Sequence, residues 1–197
     1  TCSALKKIEL SDNVVEIGSH AFDECYNLQE VRLPKKISYI GAYAFSETGL
    51  SKVVLPKGIK YLGNSLFYQC RSLREVVLQD GLETIGNYTF GSCTSLKKIN
   101  LPDSIKQIAY AAFGGCTSLT RIRIPENLEE MDETAFSNCT NLQNIETDDI
   151  NKKIKKFDVQ NELAQAYGIS DKISNNKANY DTVYNMLRRC TSKQIKV

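Results

Sequence analysis

The feature that most constrains the fold of this chain is a motif that returns every 23 residues. The sequence CTSL at residues 93–96 returns at residues 116–119, and both copies are followed by alternating apolar residues that end in proline. On this register the repeats begin at Cys2, Cys25, Thr48, Cys70, Cys93, Cys116 and Cys139. The interval after Thr48 is 22 residues, because one residue is missing before Leu50. A fixed period between about 20 and 50 residues is typical of a solenoid, in which similar turns stack on one another.

The first half of each repeat predicts a short strand with one buried face. A leucine three residues after the start is followed by apolar residues at +3 and +5, as in Leu96, Ile99 and Leu101. Proline has no N–H to donate and ends a strand, and all four prolines follow directly: Pro34, Pro56, Pro102 and Pro125. We therefore expect parallel strands at residues 28–33, 52–55, 73–78, 96–101 and 119–124.

The second half of each repeat contains an apolar pair, then usually glycine, then phenylalanine. Glycine stands at positions 18, 41, 63 and 86, with Ala109 and Asp132 as exceptions, and this column predicts a turn that favours φ > 0. The phenylalanine column holds six of the seven phenylalanines: Phe22, Phe45, Phe67, Phe90, Phe113 and Phe136. One such unit cannot bury its own apolar face, so neighbouring turns must supply the core. The predicted fold is a β-rich, right-handed coil of parallel strands stacked about 4.8 Å apart.

The repeat resembles the BspA-like leucine-rich repeat. The pattern is clearest in CYNLQEVRLPKKISYIGAYAF, residues 25–45, and it extends over residues 2 to about 147. Departures from it are Thr48 for cysteine, Ser11 and Gln79 for proline, and Ala109 and Asp132 for glycine. The resemblance implies a leucine-rich-repeat coil in a bacterial (sometimes protist) cell-surface or secreted protein that binds other macromolecules.

Residues 1–147 are thus predicted to form the solenoid, with about six 23-residue repeats, and residues 148–197 a second region. Helical spacing of apolar residues in the second region predicts a short helical C-terminal cap or the start of a following domain. The chain opens on Thr1 rather than on Met, which indicates a piece of a longer protein. Its N-terminal edge has no cap in the sequence, so self-association through that edge is expected.

Charge and hydropathy argue against nucleic-acid binding and against insertion into a membrane. The net charge is +2, with about −2 on residues 1–147 and +4 on residues 148–197, which is far from a nucleic-acid footprint. No run approaches the roughly 18 apolar residues of a membrane helix.

The seven cysteines and the single histidine predict neither a metal site nor catalysis. Six cysteines recur once per repeat, without a C-x-x-C pair, and neighbouring Cβ atoms in a ladder lie too far apart for disulfides. We expect Cys25, Cys70, Cys93, Cys116 and Cys139 to be buried free thiols, and Cys190 to be the reactive one. His20 occupies a variable column without a nucleophile pattern. No catalytic residue, metal or cofactor is therefore predicted.

Two surfaces remain as candidate binding sites. On the first strand, an outward column places Val54 and Val77 on adjacent turns as an apolar spot with a basic rim. This candidate site comprises Arg32, Val54, Arg74, Val77 and Arg123. The alternative is a tyrosine surface on the other half of the repeat, made of Tyr39, Tyr43, Tyr61, Tyr88 and Tyr110.

Together with the resemblance, which implies a location outside the cell, these patterns favour a non-enzymatic recognition or adhesion module that binds a protein. Host and extracellular-matrix proteins are the candidate partners. The alternatives are a structural spacer without a ligand and the targeting domain of a larger surface enzyme. No portable motif in a repeat surface identifies its partner.

Overall fold

The structure is a computed structural model that describes residue 2 and residues 4–146. Two strands of two or three residues form in each turn, because the apolar residues alternate over that length only. The first strands of the turns are β1 (Lys7–Glu9), β3 (Glu30–Arg32), β5 (Lys52–Val54), β7 (Glu75–Val77), β9 (Lys98–Ile99), β11 (Arg121–Arg123) and β13 (Asn144–Glu146). The second strands are β2 (Glu16–Ile17), β4 (Tyr39–Ile40), β6 (Tyr61–Leu62), β8 (Thr84–Ile85), β10 (Gln107–Ile108) and β12 (Glu130–Met131).

Strands of neighbouring turns pair in parallel, one repeat apart, as the sequence predicts. The first strands form the sheets β1-β3, β5-β7-β9 and β11-β13, and the second strands form β2-β4 and β6-β8-β10-β12. Ile8 thus pairs with Val31, and Val76 with Ile99. The fold is a parallel-strand solenoid, and no predicted strand pairs antiparallel in the described part of the chain.

The core consists of columns that repeat along the coil. The leucines that open the repeats are buried, among them Leu28, Leu50, Leu73 and Leu96. The six phenylalanines stack in one row with ring centroids 5.0 to 5.8 Å apart and nearly parallel planes. Since each ring covers the next, most of the apolar area of one turn is buried by its neighbours.

The prediction that the glycine column adopts φ > 0 is wrong. Left-handed residues lie two positions later instead, at His20, Tyr43, Ser65, Tyr88 and Ala111, with φ from 46° to 58°. A second left-handed column lies six positions after the glycine column, at Glu24, Glu47, Gln69, Ser92, Gly115 and Asn138. Gly86 and Gly41 are needed instead because the main chain of the neighbouring turn lies close to them. A Cβ on Gly86 would lie 2.7 Å from the carbonyl oxygen of Leu62, and one on Gly41 would overlap the main-chain nitrogen of Ser19. Gly18, in the first turn, would meet nothing within 4 Å.

The cysteine column lies in the core as free thiols, as the sequence predicts for four of its members. Cys25, Cys70, Cys93 and Cys116 are fully buried, whereas Cys139 is half-buried, which corrects the prediction for that residue. Each thiol from Cys70 onward donates to the phenylalanine carbonyl of the preceding turn at 3.0 to 3.2 Å. Burial raises the pKa of Cys70 to about 11 and that of Cys139 to about 12.

The junction between the second and third turns differs from the others. Within the described residues, hydrogen bonds join neither β3 to β5 nor β4 to β6, although both ladders continue on either side. The first-strand ladder is also interrupted between β9 and β11, but there the second strands β10 and β12 still pair. The junction between the second and third turns contains the shortened repeat, where Gly49 passes so close to the carbonyl of Tyr26 that a Cβ would not fit. The loop side stays closed, because Tyr43, Phe45 and Glu47 donate their main-chain N–H groups to the third turn.

The predicted C-terminal cap, the boundary at residue 147 and Cys190 lie outside the described residues. Among the residues that are described, no helix has the length and apolar character needed to cross a membrane.

Candidate functional site

The valine pair lies on the strand face as predicted. Val54 and Val77 are Cα partners in the parallel ladder between β5 and β7. The side chain of Val54 is 51% exposed, and Val77 is half-buried. Val53 and Val76, which alternate with them, point into the core. The ladder therefore holds an exposed apolar group on a rigid strand.

A groove opens beside Val54 where the strand ladder is interrupted. It has a volume of about 910 Å³ and lies between β3 and β5. Apolar residues from both strands and the following turn line it, namely Val31, Leu33, Val54, Leu55 and Pro56. This groove is hereafter the β3–β5 groove.

The rim of the β3–β5 groove is basic. Arg32, Lys35, Lys52 and Lys57 line it, against one acidic residue, Glu30. Arg32 lies 3.4 Å from Asp12, and Lys52 lies 2.9 Å from Glu75. Each of these side chains is more than half exposed, so the pairs contribute less than about 1 kcal/mol each. The arginine and lysine heads remain available to a ligand.

The other two arginines of the predicted site are separate from this groove. Arg74 is exposed and precedes β7, and its main-chain N–H donates to Ser51 at 2.9 Å. The guanidinium of Arg123 donates to both carboxylate oxygens of Asp103, at 2.8 and 3.2 Å. Arg123 lines a smaller hollow of about 170 Å³ between β9 and β11. The structure thus brings Arg32, Val54 and Val77 together and leaves Arg123 two turns away.

The tyrosine surface is also exposed, and among the described residues five of the eight exposed large apolar side chains belong to it. Tyr39 and Tyr61 project from the second strands β4 and β6. They are not ladder partners, because the second-strand sheet is interrupted between them. The hydroxyl of Tyr61 donates to Asn64 at 3.2 Å.

The remaining tyrosines form two ring clusters in the loops after the second strands. Tyr43 stacks on His20 with centroids 4.8 Å apart. Tyr88 meets Tyr68 and Tyr110 edge to face, at 6.0 and 5.2 Å. His20 and Tyr68 also belong to this surface, although the sequence does not indicate it. Their rings meet Tyr43 and Tyr88 only in the folded chain.

The described residues contain no group of three or more His, Cys, Asp or Glu side chains placed to hold a metal ion. The His20 ring nitrogen Nδ1 lies 2.7 Å from a carboxylate oxygen of Asp23, and the imidazole is exposed. This pair stabilises the local turn, which places His20 at φ 58°.

Each turn contributes a leucine and a phenylalanine to the core columns, and its strands pair in parallel with those of a neighbouring turn. These features define a leucine-rich-repeat solenoid. The family model described as the BspA type leucine-rich repeat region matches this chain in six copies, over residues 1–93 and 60–177. The chain belongs to that family. A comparison with curated proteins finds no match.

Solved structures of bacterial leucine-rich repeat proteins are similar to it. A protein from Bacteroides ovatus is 33% identical, with a TM-score of 0.59, and the match covers 73% of this chain and 43% of that one. The leucine-rich repeat protein of T. pallidum is 30% identical, with a TM-score of 0.66, and the match covers 72% of this chain and 66% of that one. A protein from Eubacterium ventriosum, 21% identical over 68% of this chain and 42% of that one, shares the fold with a TM-score of 0.56. The chain therefore spans less than two thirds of the length of these relatives.

Proposed function

We propose that this chain is a non-enzymatic protein-interaction module of a bacterial cell-surface or secreted protein. Solenoids of this class present extended, rigid surfaces, and leucine-rich repeats generally mediate protein binding. The observation that carries the proposal is the exposed Val54 in register with Val77 at the edge of the β3–β5 groove. An apolar group held by a ladder binds a partner with little loss of side-chain entropy.

The site of recognition in this proposal is Val54, Val77 and Arg32. Apolar residues at the centre of an interface with arginine beside them are typical of binding hot spots. The family resemblance supports the extracellular location in this proposal. Antibody labelling of intact source cells tests it, since a cytoplasmic protein would be labelled only after lysis.

The valine pair is tested by the double variant Val54→Lys/Val77→Lys, with binding measured on immobilised extracellular-matrix proteins by interferometry. The double variant should bind the partner of the wild-type chain at least about 2 kcal/mol more weakly, which is roughly a 30-fold loss in affinity. Circular dichroism should show the wild-type fold, because neither side chain is in the core.

The tyrosine surface is the second candidate site, and Tyr39→Lys/Tyr61→Lys is its matched variant. Its five exposed tyrosines favour it, because tyrosine combines large contact area with a polar hydroxyl. If this variant loses binding while the valine variant binds normally, recognition occurs on the tyrosine surface. If the wild-type chain binds no partner, the spacer interpretation is favoured, and if both variants bind as the wild type does, both candidate sites are wrong.

A further inference from the structure

The β3–β5 groove exists because one junction of the coil opens on its strand side. In a regular junction of this solenoid, main-chain hydrogen bonds join both strand ladders, as they do between β5 and β7. Between the second and third turns the described chain has neither ladder, while the loop side remains hydrogen-bonded. The two turns therefore diverge toward the strand face and leave a hollow of about 910 Å³ between them.

The gap is too narrow for a partner strand to insert between β3 and β5. Residues of the two strands still approach within 8 Å between Cα atoms. An inserted strand needs roughly 9.6 Å, which is twice the spacing of paired strands. A ligand therefore lies along the strand face and sends side chains into the groove.

The groove chemistry selects the ligand. Four basic side chains and one acidic side chain surround an apolar lining. Lys35 and Lys57 are exposed and form no ion pair in the described part of the chain, so their ammonium groups can meet a ligand carboxylate without breaking a contact. A second hollow of about 370 Å³ adjoins the groove toward the first turn, and three basic residues and one acidic residue line it together with Leu33, namely Arg32, Lys35, Lys36 and Asp12. The positive charge thus continues along the strand face.

We propose that the β3–β5 groove binds an acidic, extended peptide segment of the partner, with one apolar side chain seated over Val54 and Pro56. The carboxylates on either side of that residue meet Lys35 and Lys57. The apolar lining favours a peptide over a sulfated glycan, which carries the same charge without an apolar group. This inference rests on the proposed function, since it names the partner chemistry of the same surface.

The probe for this inference is a fluorescein-labelled peptide of seven glutamates with one central leucine, measured by anisotropy in about 50 mM salt. The expected dissociation constant is on the order of 10–100 μM, and raising the salt to about 0.5 M should weaken it at least fivefold. Replacing the leucine by serine should weaken binding about tenfold, because burial of a leucine side chain is lost. A peptide with lysine in place of glutamate should not bind.

The matched protein variants are Lys35→Glu/Lys57→Glu in the groove and Lys60→Glu/Lys97→Glu outside it. All four lysines are exposed, and both variants change the net charge by the same amount. The groove variant should lose at least about tenfold in peptide affinity, and the control variant less than about twofold.

Three results would overturn the inference. The first is an equal loss of peptide affinity in the two charge variants. The second is no peptide binding up to about 1 mM. The third is equal binding of the leucine and serine peptides together with tighter binding of a heparin octasaccharide than of either peptide. If the peptide fails while Val54→Lys/Val77→Lys still loses a matrix partner, the proposed function stands and the acidic ligand is wrong. If the peptide binds as expected while the valine variant keeps its partner, the groove specificity holds and the proposed site fails.

Discussion

The thiol of Cys70 donates to the main-chain carbonyl of Phe45, one turn earlier, at a distance of 3.0 Å. The same carbonyl accepts the hydroxyl of Thr48 at 2.9 Å. The cysteine column is therefore a row of hydrogen-bond donors between turns as well as a row of small apolar groups. Thr48 occupies the same column, but its hydroxyl donates three residues back, within its own turn, rather than between turns.

The first prediction concerns pH. The pKa of Cys70 is about 11 in the folded chain, and burial is the main cause, while an exposed thiol has a pKa of 9.0. Its contribution to folding is complete below pH 9 and is lost as pH rises from 9 to 11, because the unfolded thiol ionises first. The loss amounts to roughly 2–3 kcal/mol over that window. Urea midpoints of the reduced protein should therefore fall steeply above pH 9.

Cys70→Thr is the control for this pH effect. It removes one titrating thiol and leaves the other thiols, lysines and tyrosines unchanged, so their ionisation cancels in the comparison. The variant should lose about 1–2 kcal/mol less than the wild type between pH 9 and 10.5. Equal losses would show that the folded Cys70 has no raised pKa.

The second prediction is that the buried thiols resist labelling. Cys25, Cys70, Cys93 and Cys116 should stay unmodified during a short maleimide pulse at pH 7.5, and Cys139 should react slowly because its pKa is about 12. All should react after unfolding in urea. Mass spectrometry of unreduced protein shows whether these cysteines are free thiols, and a disulfide within the column would contradict the prediction.

The third prediction separates close approach from backbone conformation in the glycine column. Gly86→Ala should destabilise the chain by about 1–3 kcal/mol, because its Cβ would lie 2.7 Å from a main-chain oxygen. Gly18→Ala should be neutral or stabilising by up to about 1 kcal/mol, since nothing lies near its Cβ and the unfolded chain loses entropy. Chemical denaturation measures both. If the two variants lose equal stability, backbone conformation rather than close approach requires the glycine.

The fourth prediction compares rings inside the phenylalanine stack with the ring at its end. Phe67 is fully buried between Phe45 and Phe90, so Phe67→Ala should cost about 3–5 kcal/mol. Phe22 is half-buried and meets one ring in the described chain, Phe45, so Phe22→Ala should cost about half as much. Thermal unfolding in the same buffer gives the comparison, and a larger loss for Phe22 would place the core elsewhere.

The repeat in the sequence predicts the strands, their parallel register and the buried columns, because each follows from the 23-residue period and the alternation of apolar residues. The pairing of Val54 with Val77 follows in the same way. The period cannot give the φ values of individual residues. The pattern therefore predicts the left-handed position at Gly41 rather than at Tyr43, whereas Gly41 is required by its close approach to Ser19 in the preceding turn.

The candidate site could be predicted only in part. The valines follow from their column, but the groove beside them lies at the junction with the shortened repeat, which the sequence shows as an interval of 22 without its consequence for pairing. Lys35 and Lys57 belong to the groove because the two turns diverge, and no periodic pattern singles them out. Ion pairs between the first strands of neighbouring turns likewise form only in part. Lys7 pairs with Glu30 and Lys52 with Glu75, while no ion pair joins Glu30 to Lys52 across the open junction of the described chain.

The open junction also has a mechanical consequence. A coil pulled along its axis lengthens by separating neighbouring turns, and each junction resists through its hydrogen bonds and its buried contacts. Between the second and third turns the load falls on the loop bonds from Tyr43, Phe45 and Glu47, on the bond from the Cys70 thiol to Phe45 and on the core. A tensile force along the axis would therefore part this junction first. The groove would widen under load while the turns on either side remain intact.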